Sequence, residues 1–339
     1  MTYAEILESA RKHMNGNCKV CKICNGEACR GTIPGPGGKA TGDGFVRSYK
    51  KLQEIKVHMD TIYDDAPIDT SCSLFGKNFK YPVFAAPIMG THIQYGEKYN
   101  YHDYNKAVIY GCKDAGTLAF TFFDPNDDKA LDEIVEVGGL GIPTVKPWPV
   151  DVMLRQFKEA EANGIIAVAT DVDGAGLSLV QGGANPVGPK SVKQLEYLIS
   201  SVKIPVLIKG VMTAGGAKKA LDTGAYGIVV STHGGRVQDQ TPAPIEMLEE
   251  IAGAVKGKMK IFIDGAIRSG IDVYKCLAMG ADAVMIGRPY VLAVYGADQE
   301  GAKLYTNMIG GQLKETMMMT GAKNLAEITK DKIFIDKLF

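Results

Sequence analysis

The sequence lacks several features that would each indicate a class of protein. Lysine plus arginine equals aspartate plus glutamate, at 38 each, so no strong field favours nucleic acid or an anionic membrane. The longest apolar stretches are strand-sized, far short of the roughly 20 residues that span a bilayer. Residues 1–12 have the pattern of an acidic amphipathic helix, without the basic and then apolar layout of a signal peptide. We therefore expect a cytoplasmic protein that acts on a small molecule, with no nucleic-acid partner and no membrane span.

Apolar residues and glycine are plentiful, at 46% and 40 residues, and they follow a regular pattern. Past residue 80, short runs rich in Ile, Val and Ala alternate with helix-period segments. Such continuous runs are typical of parallel strands covered by helices on both faces. We count eight strand–helix units, with strands at 81–87, 117–120, 142–145, 165–171, 204–209, 225–231, 260–264 and 281–287.

Eight units predict an α/β protein with the (β/α)8 barrel fold. An open doubly wound sheet is the alternative, but no Gly-x-Gly-x-x-Gly turn follows the first strand. Residues 1–80 would form an N-terminal extension with a helix and a cysteine cluster. Residues 81–339 would form the barrel and a closing C-terminal helix, and no linker indicates a second domain.

Several predicted strands end in a polar residue. In a (β/α)8 barrel the carboxyl ends of the strands form the rim that carries the active site. Charges there are costly unless they are paired or bound to a ligand. We therefore expect one functional site where the following strand ends converge: Lys146, Asp171, Lys209, Ser231–Arg236, Asp264 and Gly287–Arg288.

The stretch Ser231–Arg236 is the most informative of these strand ends. His233 is the residue type whose charge changes most readily near neutral pH, and Arg236 presents a fork that matches a carboxylate. The two glycines between them remove side-chain bulk, so a flat ligand could lie against the backbone. The stretch predicts a general base beside a carboxylate clamp; a structural turn histidine with a surface arginine is the alternative.

The last two predicted strands are each followed by a glycine turn that leads into a helix, at 264–270 and 287–289. Unpaired N–H groups and the helix dipole favour an anion at such turns, and Arg268 and Arg288 add charge-assisted bonds. Loops after strands seven and eight are where barrels commonly bind phosphate. The repeated layout favours a phosphate site over a plain helix start at Pro289.

Together these motifs resemble the FMN-dependent 2-hydroxy acid oxidising enzymes, the family of glycolate oxidase, lactate oxidase and flavin lactate dehydrogenases. The resemblance covers roughly residues 80–320, and it is carried by Ile208–Val211, Ser231–Arg236 with Asp239, Asp264-Gly265 with Arg268, and Ile286–Pro289. It implies FMN as the cofactor and oxidation of an L-2-hydroxy acid to the 2-oxo acid, with the electrons passing to O2 or to another acceptor. It also implies a homo-oligomer, a tetramer or larger.

The resemblance implies roles for the matching residues. His233 would take a proton from the substrate, Asp171 would pair with this histidine, and Arg236 would bind the substrate carboxylate. Lys209 would stabilise the negative charge of reduced flavin. The other cofactor contacts would come from Ala86, Pro87, Ile88, Lys146, Ser231, Asp264, Gly265, Arg268, Gly287 and Arg288.

The chain departs from this family at three substrate-binding positions. Where the family has Gln-x-Tyr after the third strand, the sequence has Lys146-Pro147-Trp148. The family's second carboxylate-binding arginine has no match between Asp171 and Pro189, and its N-terminal tyrosine has none among residues 25–50. Trp148, the only tryptophan, predicts instead a flat apolar wall for a different or bulkier substrate; simple filling of the pocket rim is the alternative.

Four of the seven cysteines, Cys18, Cys21, Cys24 and Cys29, lie in one short run. Their Cys-x2-Cys-x2-Cys-x4-Cys spacing is similar to the ferredoxin-type run, and Cys-x2-Cys pairs also bind zinc. Disulfides are not expected in a cytoplasmic chain. The run favours a metal site, an iron–sulfur cluster or zinc, over free thiols. A cluster would let electrons leave one at a time, which makes an electron acceptor protein a candidate partner.

Two other functions stay open from the sequence. A flavin barrel that catalyses isomerisation, like the type 2 isopentenyl diphosphate isomerases, shares the lysine after the fifth strand and the phosphate turns but lacks the His233–Arg236 motif. A flavin- and metal-binding redox sensor without turnover is compatible with the missing substrate residues.

Overall fold

The computed structural model describes residues 1–177, 180 and 185–335. Its first elements belong to the predicted extension. They are helices α1 (Tyr3–Arg11) and α2 (Asp43–Glu54), and strands β1 (Lys56–Val57), β2 (Cys72–Leu74) and β3 (Lys77–Phe79). Helix α1 begins with a capping box in which the Thr2 hydroxyl accepts from the Glu5 N–H, a pattern that stabilises the first turn of a helix.

Eight parallel strands form the centre of the molecule. They are β4 (Val83–Ala85), β5 (Phe120–Phe122), β6 (Ile142–Val145), β7 (Val168–Asp171), β8 (Val206–Lys209), β9 (Gly227–Val230), β10 (Lys260–Ile263) and β11 (Ala283–Ile286). Consecutive strands from β5 to β11 pair in order, β11 pairs with β4, and a bridge between Ala85 and Ala119 joins β4 to the chain entering β5. The sheet therefore closes on itself, which confirms the predicted (β/α)8 barrel.

Helices surround this barrel. They are α3 (Thr91–Gln94), α4 (Tyr101–Asp114), α5 (Asp132–Glu136), α6 (Val150–Ala162), α7 (Val192–Ser200), α8 (Ala214–Asp222), α9 (Pro244–Val255), α10 (Gly270–Ala278) and α11 (Arg288–Met319), and the short strand β12 (Ile333–Phe334) pairs with β1. Helix α11 is interrupted at Ala297 and Asp298, whose backbone angles are not helical. Among the described residues, no helix is both long and apolar enough to cross a membrane.

Side chains on the strands alternate between two apolar layers. Leu207, Val229 and Phe262 point into the barrel, where they pack with Phe84 and Phe120. Their neighbours Ile208, Ile228 and Ile263 point outward and pack against the helices. This alternation follows from the two-residue period of a strand. The same alternation determines which residues at the strand ends face the barrel interior.

The second strand begins later than the sequence pattern predicts, at Phe120 instead of Thr117. Thr117 instead completes the end of α4, because its N–H donates to the Cys112 carbonyl at 2.9 Å and its hydroxyl donates to the same oxygen. The last carbonyls of a helix need such partners. Thr117 therefore caps helix α4, and strand β5 begins three residues later.

Residues 1–80 pack against the barrel. Helix α1 lies on α11, and the turn of the β2–β3 hairpin brings the Phe75 ring to 5.0 Å from Tyr226 and 5.9 Å from Phe262 between ring centroids. A third contact reaches the strand-end rim, where the Lys39 N–H donates to the Gly235 carbonyl at 2.7 Å. The extension therefore contributes both to the core and to the surroundings of the candidate site.

Candidate active site

The strand alternation places charged side chains inside the barrel mouth. Lys209 follows Leu207 by two residues, Asp264 follows Phe262, and Asp171 follows Ala169; all of these apolar residues face the interior. The charged side chains consequently point in the same direction one layer higher. Lys209 is 3% exposed and Asp171 is fully buried. Burying a charged side chain costs free energy, and a bound ligand of opposite charge would offset that cost.

A cavity opens at this end of the barrel and encloses about 960 Å³ of space, part of it open to solvent. It brings together most of the residues predicted for the site. The predicted residues that line it are Ala86, Pro87, Ile88, Lys146, Lys209, His233, Arg236, Asp264, Gly265, Arg268, Gly287 and Arg288.

Buried charges in and below this cavity are balanced in sign. Lys146 Nζ lies 2.5 Å from Asp171 Oδ2, and Lys209 Nζ lies 3.8 Å from Asp264 Oδ2. Burial lowers the pKa of Lys209, but the nearby carboxylates of Asp173 and Asp264 outweigh this effect and leave the pKa above its usual value. Lys209 is therefore a cation at neutral pH.

His233 sits on the turn after β9 in a left-handed backbone conformation, with φ of 55°. Such a conformation is uncommon outside glycine and is found at sites where the surrounding structure enforces it. Its N–H donates to the Ser231 hydroxyl at 3.0 Å. Burial, together with the cations Lys209 and Lys146, lowers the pKa of His233 well below its usual value. The imidazole is therefore neutral and able to accept a proton.

The nearer acidic partner of His233 is Asp173, which the sequence analysis did not select. Its Oδ1 atom lies 3.2 Å from His233 Nδ1, whereas the Asp171 carboxylate lies at 3.8 Å. Asp171, the acid predicted to pair with His233, lies within ion-pair distance of it but is also engaged by Lys146. The short turn Val172–Gly176 carries Asp173 closer to the imidazole, so the histidine has two acidic partners. Gly210 makes room for this turn, since a Cβ there would lie 2.4 Å from Asp173 Cγ.

The atoms of Asp171, Asp173 and His233 are close enough to ligate a metal ion, within 4.8 Å of one another. The Lys146 ammonium already contacts Asp171 as a counter-charge. We therefore interpret the three residues as a hydrogen-bonded base and its acids.

Arg236 lies on the same turn as His233 and also lines the cavity. Within the described residues its buried Nε atom has no hydrogen-bond partner. Burial lowers the pKa of Arg236 to about 10, which still leaves a cation at neutral pH. A buried guanidinium donor without an acceptor is costly, and a bound carboxylate would satisfy it.

The chemistry of the cavity fits FMN. Lys209 Nζ is buried and makes no hydrogen bond to any described residue, so it can face a group that becomes anionic. In the turn after β10, Gly265 and Ala266 both have positive φ, 113° and 58°, and consecutive residues of this kind orient N–H groups toward anions. A Cβ on Gly287 would lie 3.3 Å from Ile88 Cδ1, so glycine keeps this part of the wall flat.

Arg268 and Arg288 line the cavity but also contact the N-terminal extension. Arg268 Nε donates to the Cys24 carbonyl at 2.9 Å. Arg288 Nε donates to the Pro36 carbonyl at 2.6 Å, and its Nη2 donates to the Gly234 carbonyl at 2.8 Å. The two arginines predicted to bind phosphate therefore also hold the extension against the rim.

Two predictions need correction. Trp148 does not line the cavity. Its backbone N–H donates to the Lys146 carbonyl at 2.7 Å, and this tight turn leads the indole ring into the core between strands and helices. Ser231 is buried below the cavity wall, where its hydroxyl donates to Asp264 Oδ2 at 2.7 Å. Ser231 therefore does not line the cavity, and its hydroxyl positions Asp264 and His233.

The structure adds cavity residues that the sequence analysis missed. Tyr95, at the end of α3, and Phe122, in β5, both line the cavity, together with Met89, Thr144 and Leu177. Tyr95 comes from a loop more than a hundred residues before Arg236, and no motif marks it. Phe122 and Thr144 were predictable in principle, since each lies near the carboxyl end of its strand.

Replacing Lys146 by Met is expected to lower the free energy of unfolding by about 3–5 kcal/mol, because the Asp171 carboxylate would stay buried without its partner. Urea unfolding measures the change. The double variant Lys146→Met/Asp171→Asn removes both charges and should regain much of this loss. A double variant that is less stable than Lys146→Met alone would contradict the pairing.

Comparison with known proteins agrees with this geometry. Residues 184–335 match the family described as FMN-dependent dehydrogenase. The peroxisomal (S)-2-hydroxyacid oxidase GLO4 of Arabidopsis thaliana is 38% identical over 178 residues, which cover 52% of this chain and 46% of that protein. Glycolate oxidase 1 of Oryza sativa subsp. indica is 41% identical over 146 residues, 43% of this chain and 40% of that protein. The chain thus matches less than half the length of these curated relatives.

Solved structures match over nearly the whole chain. Mandelate oxidase with (S)-mandelic acid has a TM-score of 0.80 at 26% identity, covering 97% of both chains. A mandelate oxidase variant with a monooxide FMN adduct has a TM-score of 0.76 at 29% identity, covering 87% of this chain and 92% of that one.

One rim of this barrel carries a neutral histidine and an arginine whose buried Nε has no partner among the described residues, beside two glycine turns, and these groups suit a flavin site. The sequence and structure matches point the same way: the chain is similar to FMN-dependent 2-hydroxy acid oxidases, in sequence mainly over residues 184–335 and in its barrel fold over nearly the whole chain.

Proposed function

We propose that the protein oxidises an L-2-hydroxy acid to the corresponding 2-oxo acid with FMN as its cofactor. The observation that carries the proposal is the shared cavity of His233, Arg236 and Lys209. A neutral base, a carboxylate clamp and a buried cation are the groups that such a reaction requires from the protein.

Arg236 would hold the substrate by its carboxylate. Its Nε atom is buried without a partner among the described residues, whereas Arg288 is already bonded to the Pro36 and Gly234 carbonyls. An arginine fork fixes both carboxylate oxygens and so orients the carbon that bears the hydroxyl. Substrate binding is therefore assigned to Arg236.

His233 would accept the proton that the substrate loses. Its Nδ1 atom faces Asp173, so the Nε2 atom is the one left to act as base. The Asp173 and Asp171 carboxylates, 3.2 and 3.8 Å from Nδ1, would stabilise the imidazolium once it forms. This arrangement holds a proton at Nε2 without moving the ring.

FMN, when bound, supplies the two-electron acceptor that no side chain provides. Lys209 would then place its ammonium beside the charge that develops on reduction, and burial strengthens this interaction because little water screens it. The apolar side chains of Met89, Phe122 and Leu177 in the cavity wall favour a substrate whose own side chain is apolar.

The isomerase alternative is not favoured, because the matched relatives are 2-hydroxy acid oxidases and because a base paired with a carboxylate clamp has no role in it. A redox sensor without turnover would bind the same flavin, so only a substrate test separates it from an enzyme.

The test is a panel of L-2-hydroxy acids mixed anaerobically with the FMN-loaded protein, with the D-enantiomers as controls. Loss of the flavin absorbance with an L-acid, and not with its D-form, supports the proposal. If no member of an apolar and polar panel bleaches the flavin, the substrate class is wrong.

We expect the reaction rate to fall at acid pH, but only at pH values below the usual pKa range of histidine. His233 acts in its neutral form, and its pKa is lowered by burial and by Lys209 and Lys146, so lowering the pH removes the base only below that range. A profile of kcat/KM against pH checks this. A limb centred at or above about 6.5, the ordinary histidine pKa, would contradict a buried neutral base.

The proposal includes a cytoplasmic location and a homo-oligomer. None of the seven cysteines, each within the described residues, is in a disulfide, which supports a reducing compartment. The family resemblance supports an assembly of four or more chains. Sedimentation of the FMN-loaded protein measures its size, and a monomer would contradict the assembly.

A further inference from the structure

The four clustered cysteines meet around one small cavity in the extension. Cys18, Cys21, Cys24 and Cys29 all line it and are all partly buried. Phe45, Pro36 and Leu292 form apolar parts of its wall, and Lys19 and Arg288 also line it. The fold has therefore gathered four thiols in a pocket where, among the described residues, no disulfide uses them.

The loop that carries these cysteines is shaped by close packing. Gly26 has a φ of 89°, and a Cβ there would lie 2.8 Å from the Phe45 ring. Val20 is buried and has a φ of 45°, which is a strained conformation for a β-branched residue. Such strain persists only where the surroundings enforce it, and it is concentrated at functional sites.

Cations surround the cysteine cavity. Arg268 Nη2 lies 3.5 Å from Cys24 Sγ, as a donor to the sulfur, and the Arg288 guanidinium stacks 3.8 Å above the Phe45 ring centroid. Donors to sulfur and nearby positive charge stabilise thiolate ligands and tune the potential of a cluster that they hold. The surroundings therefore suit an anionic metal–thiolate centre.

The four sulfurs are not gathered tightly around the position of one ion. Tetrahedral zinc with Zn–S bonds of about 2.3 Å holds its sulfurs about 3.8 Å apart. In the described part of the chain, the only three candidate ligand atoms within 4.8 Å of one another are those of Asp171, Asp173 and His233. No three of the cysteine sulfurs are therefore that close, and a cluster, which offers a different iron atom to each thiolate, does not require them to be.

The cysteine cavity shares a wall with the flavin cavity. Tyr95 and Arg288 line both. On the outer side, Lys22 and Ile23 are exposed, Ile23 to 57%. The cysteines thus lie between the proposed flavin site and solvent.

We propose that Cys18, Cys21, Cys24 and Cys29 ligate an iron–sulfur cluster of the four-iron type, which passes electrons from the flavin site to an external one-electron carrier protein. This inference rests on the proposed function. Oxidation of one hydroxy acid releases two electrons and two protons. The protons go to solvent, and the electrons leave singly through the cluster, so that two carrier molecules are each reduced by one electron. The protein would then be a dehydrogenase.

The first test is the composition of the full chain purified without oxygen. Iron and acid-labile sulfide are expected in equal amounts, on the order of four of each per chain, with broad visible absorption beneath the flavin bands. Zinc at one per chain without iron would overturn the proposal, and so would an FMN-loaded protein that carries no metal even after anaerobic incubation with iron and sulfide.

The second test uses single substitutions. Cys21→Ser and Cys24→Ser are expected to lose most of the iron and the cluster absorption while keeping FMN. Cys72→Ser, at a partly buried cysteine on β2, is the matched control and should keep both. Unchanged iron content in a folded Cys24→Ser variant would overturn the ligand assignment. If that variant does not fold, the iron content of Cys21→Ser and of the unaltered chain still decides whether the cysteines hold a cluster.

The third test follows the electrons. After anaerobic mixing with a hydroxy acid that bleaches the flavin, electron paramagnetic resonance should show the reduced cluster, as it should after dithionite. A dithionite signal without a substrate signal would overturn the electron path. Bleaching without iron refutes the cluster alone, whereas iron without bleaching by any hydroxy acid refutes the proposed function.

Discussion

Replacing His233 by alanine is expected to slow reduction of the bound flavin by about 10²–10⁴-fold, the usual contribution of a positioned general base. FMN should stay bound, because the phosphate turns and Lys209 do not depend on the imidazole. Stopped-flow absorbance after anaerobic mixing with the best L-2-hydroxy acid measures the rate. The ratio of flavin to protein absorbance measures cofactor retention.

His58→Ala is the matched control, since His58 is exposed and packs edge-on against Phe334 outside the barrel mouth. It should reduce its flavin at the unaltered rate. A His233→Ala protein that retains FMN and bleaches at the unaltered rate would rule out His233 as the base. Loss of FMN from this variant would instead show that the turn Ser231–Arg236 holds the cofactor.

Replacing Arg236 by leucine should reduce kcat/KM for the hydroxy acid by about 10–150-fold, which corresponds to the 1.5–3 kcal/mol of a charge-assisted hydrogen bond. The loss should be small for the methyl ester of the same acid, because the ester carries no charge for the guanidinium to bind. The informative quantity is therefore the ratio of kcat/KM values for acid and ester.

Arg155→Leu serves as the control for Arg236→Leu. Arg155 is exposed on α6 and bonds only to the Pro125 carbonyl among the described residues. Its loss should therefore leave kcat/KM unchanged for both the acid and the ester. An Arg236→Leu variant with the same preference for acid over ester as the unaltered protein would show that the carboxylate binds elsewhere in the cavity, with Arg268 the remaining nearby candidate.

The barrel was predictable from sequence because its signals are local. Continuous apolar runs such as those of β8 and β11 reflect burial on both faces, and the polar residue that ends each run marks the rim. Lys209 and Asp264 were found in this way, since a two-residue period alone fixes their direction. His233 and Arg236 were found because a motif of adjacent residues carries them.

The remaining features depend on contacts between distant segments. Asp173 replaces Asp171 as the nearer acid only because Lys146, on another strand, engages Asp171. Trp148 turns into the core because of one backbone hydrogen bond after β6. Tyr95 reaches the cavity from α3, and the cysteine loop reaches Arg268 across more than two hundred residues. The spacing of residues along the sequence does not predict these contacts between distant segments.

The alternation of side chains along the strands limits how this protein can evolve. A substitution leaves the strand directions intact, whether it falls in a loop or on a strand. A single-residue insertion within β8 or β10, in contrast, would reverse the direction of every later side chain in that strand. Lys209 or Asp264 would then point among the helices, and an isoleucine would point into the mouth. Substitutions at cavity positions such as Phe122 and Thr144 can therefore change specificity, while the lengths of the strands must stay fixed.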